Sequence, residues 1–343
     1  MSRFVYWTLL SKLIVFTCCL ANEKFAAAQE KNAAEPKSVQ HSLSIAAAPY
    51  SPREEVAGEI KIVGANTLRP LAGLWKEEFS KYHPKAKLVL KLDGSELAAP
   101  ILSKEKNVVA LLSRQYLPEE IEAIEKASGG KVLQFVAAYD VLGVIVNKAN
   151  PMEGITRAQA RALLRKGTSE EKETTVWGDL GAQGEFAKVK IAPHGRSKTS
   201  GTRTYVRRLV LGAQEEERDQ VSHDSSSAIA DAVEKDPGGV GYASITHIRK
   251  DKVKVLGVAR EAGEPFVAAT EENIASGRYP LVRPLVLVAI GDDEGLKNST
   301  LLEAIHLMIS ERGQIQVLKD GYLPAIRSDI VQGLDLLGLS SVK

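Results

Sequence analysis

Three short turns in the sequence bring together residue types that bind oxyanions. Each turn follows an apolar run typical of a strand and precedes a helical pattern. A helix start presents unpaired backbone N–H groups and the positive end of the helix dipole, and a nearby hydroxyl group can donate as well. Taken singly, each turn is also an ordinary N-cap, because Ser, Thr and Asn are the usual cap residues. The turns are Gly64-Ala65-Asn66-Thr67, Asp93-Gly94-Ser95 and Arg196-Ser197-Lys198-Thr199-Ser200-Gly201-Thr202.

The third turn differs from a simple cap because it begins with Arg196, four residues before Ser200. A planar guanidinium can offer two parallel donors to a tetrahedral anion. Gly201 allows the backbone to approach such an anion closely. This combination favours an anion-binding loop at residues 196–202.

Sequence signatures of the common enzyme classes are absent. The chain has neither a G-x-x-x-x-G-K-[ST] loop nor a dinucleotide fingerprint, and neither G-x-S-x-G nor H-E-x-x-H occurs. Asp93 and Glu96 flank Ser95 in a pattern that favours a helix cap over a metal site. His194 or His223 as a general base is the alternative, which would make the chain a phosphatase. We predict a binding protein that is not an enzyme and has no cofactor and no metal.

The first 28 residues have the pattern of a secretory signal peptide. A cationic start is followed by a mostly apolar run, and Ala26-Ala27-Ala28 forms a small-residue end. The uncharged stretch is too short to span a membrane. Both cysteines, Cys18 and Cys19, lie inside this segment, so cleavage near Ala28 predicts a secreted or periplasmic chain without disulfides. Lipidation at one of these cysteines is the alternative.

Length and composition predict a globular protein of two lobes or one large domain. The chain has 343 residues, 44% of them hydrophobic and 26% charged. A formal net charge of +2 is too balanced for a protein that coats nucleic acid, so no nucleic-acid partner is expected. Residues 29–58 are rich in Ala, Ser, Pro and Glu and are predicted to form a flexible linker.

Strand and helix patterns alternate along the rest of the chain, which predicts an α/β fold with mixed, largely parallel sheets flanked by helices. A helix is predicted over Leu71–Tyr82 and another over Pro118–Ser128. Two separate strands are predicted at residues 132–136 and 141–147. The other early strands are predicted at Ile60–Val63, Lys87–Leu92 and Val108–Leu112.

The order of these motifs resembles the PstS-like family, the periplasmic phosphate-binding proteins of bacterial ABC phosphate importers. The resemblance extends from about Ile60 to Ile326, and its most specific element is the R-S-x-x-S-G-T pattern of residues 196–202. Other segments similar to the family are residues 64–71, Val109–Arg114, Thr156–Gly167, Trp177-Gly178-Asp179-Leu180, Pro237–Tyr242 and Tyr279–Leu285.

This resemblance implies a two-lobed periplasmic binding protein fold of type II. Lobe I would hold residues 59–139 and 244–329, lobe II residues 140–243, and residues 330–343 would form a tail. The implied function is capture of inorganic phosphate or a related oxyanion by a monomer, for delivery to ABC permease subunits. A surface sensor of phosphate that feeds no transporter is the alternative. The implied ligand-binding residues are Asn66, Thr67, Ser95, Ser113, Arg114, Arg196, Lys198, Ser200, Gly201 and Thr202.

Two of these positions depart from the family pattern. The best-known members have Asp where this chain has Arg114 and Lys198. A carboxylate at such a position accepts a hydrogen bond from a protonated phosphate oxygen and repels fully ionised sulfate. Asn66 also stands where a hydroxyl residue is usual, although its amide can still donate.

Overall fold

A computed structural model describes residues 47–212, 215–292 and 295–339 of the chain. The predicted signal peptide with Cys18 and Cys19, and the first part of the predicted linker, lie outside the described residues. Within the described ranges, every helix is too short or too polar to serve as a membrane span.

Strands and helices alternate as the sequence pattern indicates. The strands are β1 (Gly58–Gly64), β2 (Ala86–Lys91), β3 (Val108–Leu112), β4 (Lys131–Asn147), β5 (Gly154–Thr156), β6 (Ala192–Arg196), β7 (Val221–His223), β8 (Gly239–Ser244), β9 (Val253–Val255), β10 (Gly257–Ala259), β11 (Val282–Gly291) and β12 (Leu323–Pro324). The α-helices are α1 (Arg69–Tyr82), α2 (Ala98–Leu102), α3 (Pro118–Ser128), α4 (Arg157–Leu164), α5 (Gly201–Leu211), α6 (Ser226–Lys235), α7 (Glu271–Ala275), α8 (Ser299–Ile309), α9 (Glu311–Lys319) and α10 (Arg327–Leu336).

Most of the strands join in one mixed sheet with the order β2-β1-β3-β11-β4-β8-β6-β7. At one end, β2, β1 and β3 are parallel neighbours, and at the other end β8, β6 and β7 are also parallel. The antiparallel strands β11 and β4 connect the two parallel groups. Because parallel strands end at the same edge of a sheet, each group collects its strand-to-helix turns at one edge.

A single strand of 17 residues, β4, runs through both groups. Its first part pairs with β11, and its second part pairs with β8 and β9. The prediction of two separate strands here is wrong, because the polar residue between them does not start a turn. Asp140 lies opposite Arg283 in the register of β4 and β11, and the two side chains form an ion pair at 2.8 Å.

The buried apolar residues form two cores, one on each side of the molecule. One set covers both faces of β1, β3 and β11 and includes Trp75, Phe79 and Phe135. The other lies on the β4–β8–β6 side and includes Trp177 and Tyr242. This second core also contains residues between 245 and 281, which stay beside it because β9 pairs with β4 and β10 pairs with β5. The predicted lobe boundary at residue 244 falls inside this core, so we propose that lobe II extends from residue 140 to about 281.

Two terminal segments pack more closely than predicted. Residues 47–57 belong to the predicted linker of residues 29–58, yet Tyr50 and Val56 are buried. The Tyr50 hydroxyl donates to Glu303 Oε2 at 2.6 Å and lies 2.7 Å from His83 Nε2. Residues 330–339 belong to the predicted tail of residues 330–343, but α10 covers most of them, and Ile330 is buried in the first core. Both predictions are wrong for these stretches because apolar side chains there add to the core.

Candidate functional site

The three sequence-predicted turns meet at one place in the fold. The backbone N–H of Glu96 donates to Thr199 O at 3.2 Å, which joins the second turn to the third. Gly201 packs directly against Ser95 and Ser113, and a Cβ atom on Gly201 would lie 2.5 Å and 2.7 Å from their hydroxyl oxygens. The contact therefore requires glycine at position 201. Loops from the ends of both parallel groups thus enclose a single polar site.

Arg196 is the central cation of this site and is only 1% exposed. Its Nε donates to His223 O at 3.0 Å, and its Nη2 donates to Asp224 O at 2.7 Å and to Asn66 Oδ1 at 2.9 Å. These acceptors are all neutral, so they satisfy N–H groups without cancelling the charge. Burial lowers the pKa of Arg196, because the charged form loses hydration. An anion would restore the stability that this uncompensated charge loses.

The remaining nitrogen of Arg196 provides the clearest sign of a ligand. Nη1 is buried and has no hydrogen-bond partner among the described residues. A buried donor without a partner is destabilising, and charged donors are more so. An oxyanion bound beside Nη1 would satisfy both the donor and the charge.

Residues 197–200 form a loop after Arg196, called here the arginine loop, and helix α5 begins directly after it at Gly201. The start of this helix adds further hydrogen-bond donors to the site. Ser200 is its N-cap residue, but the Ser200 side chain makes no capping hydrogen bond. The first backbone N–H groups of an α-helix have no partner within the helix. Ser200 and its neighbour Thr202 are both buried at this end. The start of α5 therefore presents a hydroxyl and backbone N–H groups suited to an anion.

Hydroxyl groups from the opposite loops lie next to this helix start. Ser95 Oγ and Ser113 Oγ are 3.2 Å apart, and both side chains are buried. Asn66 instead positions Arg196, because its Oδ1 accepts from the guanidinium while its Nδ2 donates to Asp224 O at 3.4 Å. Thr67 is half-buried beside Asn66, and Lys198 is exposed on the arginine loop. The roles of Thr67 and Lys198 in ligand binding stay predictions.

Arg114 does not fit the role that was predicted for it. All five of its N–H groups are taken up by protein oxygens, four by the carboxylates of Glu96 and Glu120 and one by the carbonyl of Gln115. Burial opposes the charge of Glu120, but hydrogen bonds from Arg114 and from the Leu117 backbone outweigh it and lower the pKa of Glu120 to about 2. Two carboxylates neutralise this guanidinium and saturate its donors, so the prediction that Arg114 binds the ligand is corrected.

A buried ion pair between Arg283 and Asp140, next to the site, was not predicted from the sequence. The Arg283 guanidinium donates from Nε and Nη2 to Asp140 Oδ2 at 3.1 Å and 2.8 Å. It also donates from Nη1 to Ser113 O at 2.9 Å and from Nη2 to Thr202 Oγ1 at 3.0 Å. Arg283 thereby ties a loop of the first core to the start of α5. The available signal was one charged residue inside each of two apolar strands, at Asp140 and Arg283.

The two histidines considered as bases contact each other. His194 Nδ1 lies 3.0 Å from His223 Nε2. Burial lowers the pKa of both side chains, which favours their neutral forms at pH 7. The backbone carbonyl of His223 accepts a hydrogen bond from Arg196 Nε, so the histidine pair helps to hold the guanidinium in position.

Comparisons with known proteins identify the family of this chain. The model of the PBP superfamily domain matches residues 49–310. The phosphate-binding protein PstS of Pseudomonas aeruginosa is 28% identical over 292 residues, which cover 84% of this chain and 90% of that protein. The chain belongs to the PBP superfamily and, within it, to the PstS-like family.

Solved structures agree with the assignment. An ABC-type phosphate transport receptor from Vibrio cholerae is 25% identical with a TM-score of 0.62, and the match covers 78% of this chain and all of that one. A putative phosphate ABC transporter substrate-binding protein from Clostridium perfringens, solved with bound phosphate, is 25% identical with a TM-score of 0.60 over 78% of this chain and all of that one. These matches confirm the predicted periplasmic binding protein fold, and the relatives are binding proteins rather than enzymes.

Proposed function

We propose that this chain is an extracytoplasmic receptor that binds inorganic phosphate, or a closely related oxyanion, between its two lobes. The proposal rests mainly on the burial and the hydrogen-bond partners of Arg196. Its guanidinium is buried, its protein partners are neutral, and Nη1 has no partner among the described residues. The phosphate bound in the Clostridium perfringens relative supports the choice of anion.

The proposed ligand shell combines donors from both lobes. Arg196, Ser200, Gly201 and Thr202 would bind from lobe II, and Thr67, Ser95 and Ser113 from lobe I, while Asn66 would hold Arg196 in position. The direct contacts between Gly201 and the two serines indicate that the loops meet when the lobes are closed. Binding then stabilises the closed arrangement without any covalent step, because donors from both lobes are satisfied only there.

Selection of phosphate over sulfate would depend on hydroxyl groups in this chain. Arg114 is saturated by Glu96 and Glu120, and Lys198 is a cation where the best-known family members have a carboxylate. A hydroxyl can donate one hydrogen bond and accept another, so serine and threonine hydroxyls can accept a hydrogen bond from a protonated phosphate oxygen. Thr202 is already an acceptor from Arg283, which leaves its own proton for the anion.

Delivery to an ABC permease is the transport role that we propose for the loaded protein. Support comes from relatives described as transport receptors, such as the Vibrio cholerae protein. The N-terminal pattern of residues 1–28 supports export to the periplasm or the cell exterior.

Calorimetric titration of the secreted protein with phosphate, arsenate, sulfate and molybdate tests the proposal. We expect one phosphate per chain, with sulfate at least tenfold weaker at pH 8. Equal affinity for sulfate would contradict phosphate selection, and no heat with any anion would contradict the receptor role. Stimulation of the ATPase activity of the cognate permease in liposomes by the phosphate-loaded protein then separates transport from sensing.

A further inference from the structure

Lobe II contains a second cavity that is separate from the anion site. Its volume is about 580 Å³, and none of the proposed phosphate ligands lines it. It lies between β4, β8 and β6 on one side and helices α4 and α5 on the other. Most of the lining side chains are aliphatic, among them Leu163, Val206 and Val240.

The size of this cavity is that of a ligand site. Well-packed protein interiors contain few voids larger than a water molecule, whereas ligand pockets have volumes of roughly 300 to 1,000 Å³. The cavity reaches the surface beside Leu209, a lining residue that is 41% exposed. An apolar molecule could therefore enter without opening the core.

Two arginines stand at the rim of the cavity. Thr156 and Ala259 are register partners in the parallel pair of β5 and β10, and each is followed directly by an arginine, Arg157 and Arg260. Both arginines are exposed and line the cavity, and neither forms a hydrogen bond or ion pair with another described residue. Glu261 lies beside them on the rim, so the three side chains together carry one net positive charge.

We infer that this cavity binds an amphiphilic carboxylate, with its hydrocarbon part among the aliphatic side chains and its carboxylate between Arg157 and Arg260. Guanidinium groups bind carboxylates through paired hydrogen bonds, and two adjacent ones select an anionic head group over a neutral one. The aliphatic walls contribute through burial of hydrocarbon surface. A medium-chain fatty acid has this chemistry, and decanoate is a suitable probe.

The cavity also shares a wall with the anion site, so phosphate binding serves as an internal check. Tyr242 and His194 line the cavity, while the Tyr242 hydroxyl accepts from the Arg196 backbone N–H at 3.3 Å. A variant that keeps its phosphate affinity has therefore kept this wall intact. Decanoate binding can fail while phosphate binding persists, and the reverse also holds, so the two proposals are tested independently.

Titration of the full-length secreted protein with decanoate below its micellar concentration tests the inference. We expect one decanoate per chain, a raised unfolding temperature, and at least tenfold weaker binding of decanol. The double variant Arg157→Ala with Arg260→Ala should weaken decanoate at least tenfold and leave phosphate affinity unchanged. The matched control is Arg249→Ala with Arg278→Ala, which removes two exposed arginines outside the cavity and should change neither affinity.

A second variant tests the apolar part of the site. Ala160 is half-buried on α4 and lines the cavity, so the ring of Ala160→Phe should occupy part of the cavity and weaken decanoate binding. Unchanged phosphate affinity would show that this variant is folded. The inference is overturned if wild-type protein binds no decanoate, if decanol binds as tightly, or if both cavity variants bind decanoate like wild type.

Discussion

Arg114 and Arg196 are two buried arginines at loops of the same site, and they differ in the charge of their partners. Arg114 is 3% exposed and Arg196 is 1% exposed, so burial does not separate them. Arg114 donates four of its five N–H groups to the carboxylates of Glu96 and Glu120. Arg196 donates to two carbonyls and one amide, and its Nη1 has no partner among the described residues.

This difference separates a structural arginine from a ligand-binding one. A guanidinium that two carboxylates neutralise holds loops together and has no donor left for an anion. A guanidinium surrounded by neutral acceptors keeps its positive charge in a place with little water, where an anion is attracted strongly. Removal of Arg114 should therefore affect stability, and removal of Arg196 should affect binding.

The largest effect is expected for Arg114→Met. Removal of one partner from a buried ion pair costs about 3 to 5 kcal/mol, and we expect about 3 because the two glutamates are partly exposed. Chemical denaturation measures this loss, and phosphate affinity should change less than about twofold. The control is Arg161→Met, whose ion pairs are more exposed and should contribute at most about 1 kcal/mol. If Arg114→Met lost much of its phosphate affinity and kept its full stability, Arg114 would be a ligand-binding residue like Arg196.

Arg196→Ala should weaken phosphate binding by about 1.5 to 3 kcal/mol, or roughly 10- to 100-fold, because a charged hydrogen bond to the anion is lost. Calorimetric titration measures the change. Arg196→Lys should recover only part of the affinity, since lysine keeps the charge without the planar donor fork. Arg249→Ala is the matched control, because Arg249 is exposed and pairs with Asp251. Wild-type affinity in Arg196→Ala would rule out the proposed site.

Acid should weaken the ion pairs of Arg114 with Glu96 and Glu120, because Glu120 becomes protonated. The pKa of Glu120 falls from an ordinary 4.5 to about 2 in the folded protein. A depressed pKa adds stability that is fully present above pH 4.5 and is lost as the pH falls toward 2. Glu120→Gln should thus lower the free energy of unfolding at pH 7 by about 1 to 2 kcal/mol, allowing for screening by solvent, and flatten its decline in acid.

Denaturation midpoints measured from pH 7 down to pH 3 test the role of Glu120. Glu122→Gln on the same helix is the control, because Glu122 is exposed and should leave the pH profile unchanged. Identical profiles for Glu120→Gln and wild type would contradict the ion-pair explanation.

The smallest effect is expected for Ser200→Ala. Loss of one neutral hydroxyl donor should weaken phosphate binding by about 0.5 to 1.5 kcal/mol, which is about three- to tenfold. Stability should be nearly unchanged, because the Ser200 side chain does not cap α5. Ser222→Ala, an exposed serine outside the proposed site, is the control for this titration. Equal affinities in the two variants would exclude Ser200 from the ligand shell.

The regular part of the fold could be read from local pattern. Apolar runs separated by amphipathic helices predict β1, β2, β3 and the helices between them, because these elements depend on residues close in sequence. The continuous strand β4 could not be read in this way. Its polar residue Asp140 is compatible with a strand only because Arg283, 143 positions later, lies opposite it.

The residues of the candidate site likewise fall into those that local sequence indicates and those whose role depends on distant contacts. Turn chemistry alone selected Arg196, Ser200 and Gly201, because a glycine and a hydroxyl at a helix start form an anion-binding pattern within one short segment. The sequence likewise shows an arginine at position 114 at the end of a strand, but nothing near it in the sequence shows that Glu96 and Glu120 occupy its donors.

Side chains that could bind an oxyanion, and the strands and helices that position them, can be predicted from neighbours a few residues apart. Which arginine is available to a ligand depends instead on contacts between residues far apart in the sequence. Glu96 and Arg114 are 18 positions apart, and Asn66 and Arg196 are 130 apart. Such distant partners decide whether the charge of a buried guanidinium is neutralised and whether its donors are occupied, and the folded chain alone brings them together.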